Sequence, residues 1–316
     1  MTASLKRLGD QPWIWSFLAA TAVWLMTIAF TSGQGGGEIL TSALSFGTFT
    51  VIVGLGQMMV ITTGPGNVDL SIPATMTLSG VIAMKVMDTD PANLLIGIVA
   101  ALSASLVVGV ANYILIRLLR IPPIIATLSS SFLVLSTAIS YGRGIRIKPP
   151  VPLADFATER LVGIPVVAMF VVALSFLLAI ILKRTIYGRT VSAIGQNERA
   201  AWLAGLNVKS VRFATYLLSS LFAGICGIVQ SGFSGGAALN MGDDFLLASI
   251  AVVVIGGTSV AGGKANVPGI WGAAMFMYLL VTMLNIFGAS PGVRLILTGV
   301  IIIAVITLAG GEKTTR

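Results

Sequence analysis

The side chains able to do chemistry are scarce in this sequence, and they are not placed for catalysis. It has no histidine and a single cysteine, Cys226, inside the apolar run LFAGICGIVQ. A Cys/His metal site and an intrachain disulfide are therefore both excluded. Cys226 reads as a small packing residue in an apolar setting. The carboxylates lie outside the apolar runs. Asp69 comes nearest, in the segment Gly64 to Asp69 (GPGNVD) between two of them. A proton-coupled carrier or a membrane enzyme needs ionisable groups at depth, to load protons, act as acid or base, or hold a metal. This chain has no carboxylate or histidine in the interior of a span, so either another protein supplies the energy for its work or it is a passive path.

The stretch GGTSVAGGKANVPG (256–269) has glycines and a lysine but not the order of a phosphate loop. Relative to Lys264, residue 258 would have to be glycine and is Thr258; residue 265 would have to be Ser or Thr and is Ala265. Close helix packing and a tight turn account for these small residues.

A third stretch, KRTIYGRTVSAIGQNERAAWLAGLNVKSVR (183–212), is the largest polar insertion. Asn197 is placed to cap a helix, with Glu198 in its first turn against the helix dipole. Gly205 can end that helix in a left-handed conformation after about two turns. The chemistry fits a docking element for a soluble partner, and equally a plain interfacial helix.

Apolar segments must position these features. The chain of 316 residues is 56% hydrophobic and 9% charged, whereas soluble domains carry roughly 25% charged residues. Lipid is therefore the solvent. A span needs roughly 20 apolar residues, and candidates lie near 13–31, 39–63, 70–87, 92–116, 122–141, 162–182, 213–233, 244–262, 267–287 and 293–309. The fold class is all-α: a polytopic transmembrane bundle of about ten spans, forming a single domain over 1–316. The first segment is too long for a signal-peptide core and reads as a retained helix. Between the second and third spans, Gly64–Asp69 is either a tight turn or a helix broken within the membrane.

With the N-terminus inside, most basic residues fall on the inner side, among them Lys6, Arg7, Arg117, Arg120, Lys183, Lys264, Lys313 and Arg316. Both termini are then cytoplasmic. The weak point is 142–161, assigned outside yet holding Arg143, Arg146, Lys148 and Arg160. The net charge of +8 forms no continuous basic stripe, so nucleic acid is not an expected partner.

The 183–212 segment resembles the membrane subunits of bacterial ABC-type sugar importers of the ribose-transporter type, which are related to branched-chain amino-acid permeases. Their pattern is matched by Arg184, Thr185, Gly188, Arg189, Ala193, Ile194, Gly195, Asn197, Ala200, Ala201, Gly205 and Leu206. IPPIIATL (121–128), VVVIGGTSVAGGKANVPG (252–269) and VITTGPGNVDLS (60–71) are similar to further family motifs. The last departs from its pattern by the longer Gly64-Pro65-Gly66-Asn67-Val68 insertion.

The resemblance implies a multi-pass protein of the bacterial inner membrane without an ATPase site of its own. Its partners would be a cytoplasmic ABC ATPase that binds ATP and Mg, a second permease subunit of the same or a related chain, and an extracytoplasmic solute-binding protein, all within membrane lipid. Gly195, Asn197, Glu198, Ala200, Ala201 and Gly205 would form the coupling helix that docks into the ATPase. A sugar is held by neutral hydrogen bonds, so its path needs amides, hydroxyls and freed backbone. Gln57, Thr63, Asn67, Asp69, Ser71 and Thr127, grouped at the Gly64–Asp69 break and after the double proline, are the path candidates. The rival reading is a secondary carrier or facilitator for a small polar solute.

Overall fold

The computed structural model describes residues 12–144 and 146–309. Lys6, Arg7, Lys313 and Arg316, which bear on the expected topology, lie outside the described residues. The regular structure is overwhelmingly helical. Apolar runs of this length demand it, because backbone polar groups in hydrocarbon must pair within their own segment.

In chain order the helices are α1 (Pro12–Phe30), α2 (Gly36–Thr62), α3 (Ile72–Met87), α4 (Leu94–Arg117), α5 (Pro123–Gly142), α6 (Val151–Thr158), α7 (Val166–Arg184), α8 (Ile186–Gln196), α9 (Glu198–Leu203), α10 (Val208–Phe233), α11 (Phe245–Ile255), α12 (Val267–Ile286) and α13 (Pro291–Ala309). Each predicted span holds one of them. Seven, α1, α2, α4, α5, α7, α10 and α12, are long and apolar enough to cross a membrane. The helices α3 and α11 and the stretch Pro291–Ile301 of α13 are shorter. The segment expected to span 244–262 is helical only to Ile255, because Gly256 and Gly257 turn the chain out of the helix.

The segment 142–161 holds structure that hydropathy does not reveal. Helix α6 lies there, followed by a small antiparallel ribbon of β1 (Arg160–Leu161) and β2 (Ile164–Pro165). Val162 and Gly163 turn it with φ of 53° and 81°, the paired left-handed conformations of a tight hairpin.

Helix α2 runs through the middle of the bundle and is buried along most of its length. It packs on α10, α11 and α12, while α12 also lies against α1. Helix α3 packs on α4, α5 and α10 instead. Although α2 and α3 are consecutive, they do not form a packed hairpin. The segment joining them is an irregular break rather than a simple turn. The outward faces are apolar: Leu95 on α4 is 71% exposed, Leu133 on α5 70% and Phe176 on α7 67%. Such faces belong against lipid or another helix.

Candidate solute path and coupling segment

The break begins where α2 ends at Thr62. Its first loop is tight. The Asn67 N–H and side-chain amide both donate to the Gly64 carbonyl, at 3.3 and 3.2 Å. Pro65 and Gly66 occupy the two central positions, and Gly66 has φ 76°. This is the residue pattern of a type II turn. The insertion that departs from the family motif therefore closes on itself, with Pro65 and Gly66 exposed and Asn67 buried.

The second half of the break is tied down by a buried polar cluster. The Asp69 carboxylate accepts from the Ser71 N–H at 3.0 Å and from the Ser71 hydroxyl at 2.6 Å; its other oxygen accepts from the Ser219 hydroxyl of α10 at 2.7 Å. The Asn112 amide of α4 donates to Ser71 Oγ at 2.8 Å. The Asp69 N–H donates to Gln57 Oε1 of α2 at 3.2 Å, and the Leu70 N–H donates to Thr127 Oγ1 of α5 at 3.0 Å. The non-helical backbone N–H groups of Asp69 and Leu70 are thus satisfied by side chains of α2 and α5, while the Asp69 and Ser71 side chains are tied to α10 and α4.

Among the sequence candidates, Gln57, Asn67, Asp69, Ser71 and Thr127 all join this arrangement. Thr63 is buried beside it and turns its hydroxyl back to the Val60 carbonyl at 2.7 Å. All six are buried. Sequence reading missed Asn112, Tyr216 and Ser219. Buried atoms around the cluster have no partner within the described chain: Gln57 Nε2, Asn112 Oδ1 and Tyr216 OH. These are neutral donors and acceptors gathered about one carboxylate.

The 183–212 segment is built as its residue types dictate. Thr185 Oγ1 accepts from the Gly188 N–H and caps α8. Asn197 Oδ1 accepts from the Ala200 N–H at 3.0 Å and caps α9, with Glu198 in the first turn. Gly205 follows with φ 79°, and its left-handed turn lets Leu206 N–H reach the Ala201 carbonyl. Burial pushes the Tyr187 phenol up to about 12, so it stays neutral in its 2.9 Å hydrogen bond with Thr215.

The faces of α9 are the informative part. Ala201 is 4% exposed and packs inward with Ile194 and Val208. Trp202 and Leu203 point outward and are 62% and 69% exposed. The outward apolar surface of this short helix is therefore Trp202 and Leu203, while Ala201 holds the helix to the bundle.

Two direct links join this segment to the break. The first is backbone against backbone. A Cβ on Gly195 would collide with the Thr62 carbonyl and with the backbone of Gly263, and one on Gly262 would collide with Gly64 and with the Gly195 carbonyl. Gly263 N–H donates to that same Thr62 carbonyl at 2.9 Å. The second link runs along one face of α10. Glu198 receives both terminal nitrogens of Arg212, at 2.9 and 2.8 Å. Tyr216 lies one turn beyond Arg212, and Ser219, on Asp69, lies one turn further. The Gly256–Gly269 stretch is a packing element, as its composition implies: Gly256 and Gly269 meet backbone to backbone. Cys226 is fully buried.

Comparison with known proteins agrees with this architecture. Residues 39–306 match the model of the family described as branched-chain amino acid transport system / permease component. The chain is 30% identical to the ribose import permease protein of Bacillus subtilis over 263 residues, covering 81% of this chain and 80% of the relative. It is 29% identical to the fructose import permease protein of Rhizobium meliloti over 266 residues, covering 81% and 73%. It is 27% identical to a D-allose transport system permease protein of Escherichia coli over 266 residues, covering 82% and 79%. No solved structure matches.

Proposed function

The chain belongs to the branched-chain amino acid transport system / permease component family, and from that premise we propose that it is the membrane subunit of an ATP-driven importer for a monosaccharide or sugar alcohol. The similar ribose, fructose and D-allose permeases supply the solute class. In this reading the chain has about ten spans and both termini in the cytoplasm. A separate ATPase binds ATP and Mg, a second permease subunit completes the path, and a binding protein delivers the solute from outside.

The observation that carries the reading is the contact of Gly195 with the end of α2. A segment with an outward Trp202–Leu203 face touches the broken helix directly, so a pull on one displaces the other. Alternating access follows in outline. ATP-driven closure of the ATPase pair moves α8 and α9. Gly195 and Arg212 carry that motion to the Gly64–Ser71 break. The polar cluster then opens to one side of the membrane or the other. Unpartnered Gln57, Asn112 and Tyr216 atoms provide the neutral hydrogen-bonding groups that solute hydroxyls require.

Purification from native membranes tests this. A phosphate-loop ATPase should co-purify, and reconstituted vesicles should take up ribose, fructose or allose only with ATP. Uptake by the lone chain driven by an ion gradient would establish the carrier reading instead.

A further inference from the structure

A groove of about 450 Å³ opens at the end of α4, lined by Tyr113, Ile114, Arg117, Leu118 and Arg120. None of its lining residues belongs to the polar cluster or to the Gly195 and Glu198–Arg212 contacts above. Two arginines flank it, three residues apart, and neither forms an ion pair with an acid of the chain among the described residues. Tyr113 closes one side, its hydroxyl donating to the Lys209 carbonyl at 3.0 Å and its ring edge-on to Phe213 at 5.1 Å.

Arg120 is held in an unusual way. Its φ is 56°, and the following Ile121 N–H reaches back to the Leu115 carbonyl. This is the helix-ending position that glycine normally fills, because a Cβ is strained there. The chain places a guanidinium at a site whose backbone favours glycine. The walls are equally distinctive. Leu118 is 75% exposed and the adjoining Leu119 58%, and Ile114 continues the apolar surface up the span.

We propose that this groove binds an anionic phospholipid, with Arg117 and Arg120 on the phosphate and Ile114, Leu118 and Leu119 against the acyl chains. Guanidinium forks suit phosphate oxygens. A basic pocket at the end of a span meets headgroups at their own depth. A soluble anion would use the charges but leave the leucines bare, and an apolar partner would leave the arginines unpaired. An amphiphile with a negative head satisfies both. The assignment stands whichever solute the permease moves.

The test uses the purified full chain in detergent, with thermal unfolding and native mass spectrometry as readouts. Dioleoyl-phosphatidylglycerol, dioleoyl-phosphatidylcholine and inorganic phosphate are added separately. Phosphatidylglycerol should raise the melting temperature of the wild type and stay bound; the other two should not. Arg117→Gln with Arg120→Gly should lower phosphatidylglycerol retention about tenfold, as expected when charge-assisted bonds are lost. Arg120→Gly alone suits the left-handed backbone, so its melting temperature in phosphatidylcholine should hold or rise while the phosphatidylglycerol effect shrinks. The proposal is overturned if both variants keep the full phosphatidylglycerol effect, or if inorganic phosphate reproduces it. It is also overturned if the variants lose only binding of a partner ATPase.

Discussion

Gly195 of α8 lies directly against the Thr62 carbonyl that ends α2, with no room for even a methyl group between them. Alanine in place of a helical glycine ordinarily stabilises, by about 0.5–1 kcal/mol. Here the sign reverses. The Cβ of Gly195→Ala would strike rigid backbone at Thr62 and Gly263, and overpacking of this kind costs about 1–3 kcal/mol. The variant should melt lower and transport poorly. Gly205→Ala is the contrast: open space surrounds that glycine, so its cost arises from φ 79° alone. Equal stability of wild type and Gly195→Ala would contradict the tight contact.

Asp69 organises the second half of the break, and its replacements should fall in a definite order. Asp69→Ala leaves the buried Ser219 hydroxyl and the Ser71 N–H and hydroxyl without their acceptor, at about 1–3 kcal/mol for each group left unpaired. Asp69→Asn retains one acceptor oxygen and should lose less. Ser219→Ala removes a single bond to the carboxylate, worth about 1.5–3 kcal/mol. Thermal melts of the three variants in one detergent check the ranking. Asp69→Ala as stable as Asp69→Asn would mean that these bonds contribute little.

The apolar elements were largely legible from sequence, because span length and hydropathy are local properties. Each expected span contains a helix, and Asn197, Glu198 and Gly205 take the capping places that their side chains favour. The partners of Asp69 were not legible. Ser219 is 150 positions away, and serines within an apolar span look alike whether they meet a neighbour or their own carbonyl. Asn112 is the one amide side chain in α4, with nothing nearby in sequence to mark its aim. The short α9 also hides its faces, since Ala200, Ala201, Trp202 and Leu203 are all apolar and only packing decides which turns inward. Helix α6 and its ribbon went unseen because a polar, basic segment carries no span signal.

That division of faces separates two substitutions on neighbouring residues. Ala201→Glu would bury a charge against Ile194 and Val208, so it should destabilise α8 and α9 themselves by several kcal/mol, about the scale for an unpaired polar burial. Trp202→Asp and Leu203→Asp change exposed residues and should leave the melting temperature nearly unaltered. If α9 docks into an ATPase, those two variants should abolish its co-purification while the membrane subunit stays folded. Retained co-purification with Trp202→Asp and Leu203→Asp combined would remove this face from the interface.

The Glu198–Arg212 pair distinguishes a stabilising contact from a transmitting one. The geometry is a two-pronged fork, but the side chains are 51% and 26% exposed. A pair so open to water adds about 0–1 kcal/mol, so Glu198→Gln should hardly move the melting temperature. Its effect should lie in coupling, because Arg212 leads along α10 through Tyr216 to Ser219 and Asp69. Glu198→Arg and Arg212→Glu should each lower solute transport per ATP hydrolysed, by severalfold where one unit of charge repels another across the contact. The exchanged pair, Glu198→Arg with Arg212→Glu, restores the attraction and should recover much of the ratio. Both the defect and the recovery should weaken as salt is raised, since screening acts on exposed charges. Single variants with a normal transport-to-hydrolysis ratio would leave the backbone contact at Gly195 as the remaining route between α9 and the break.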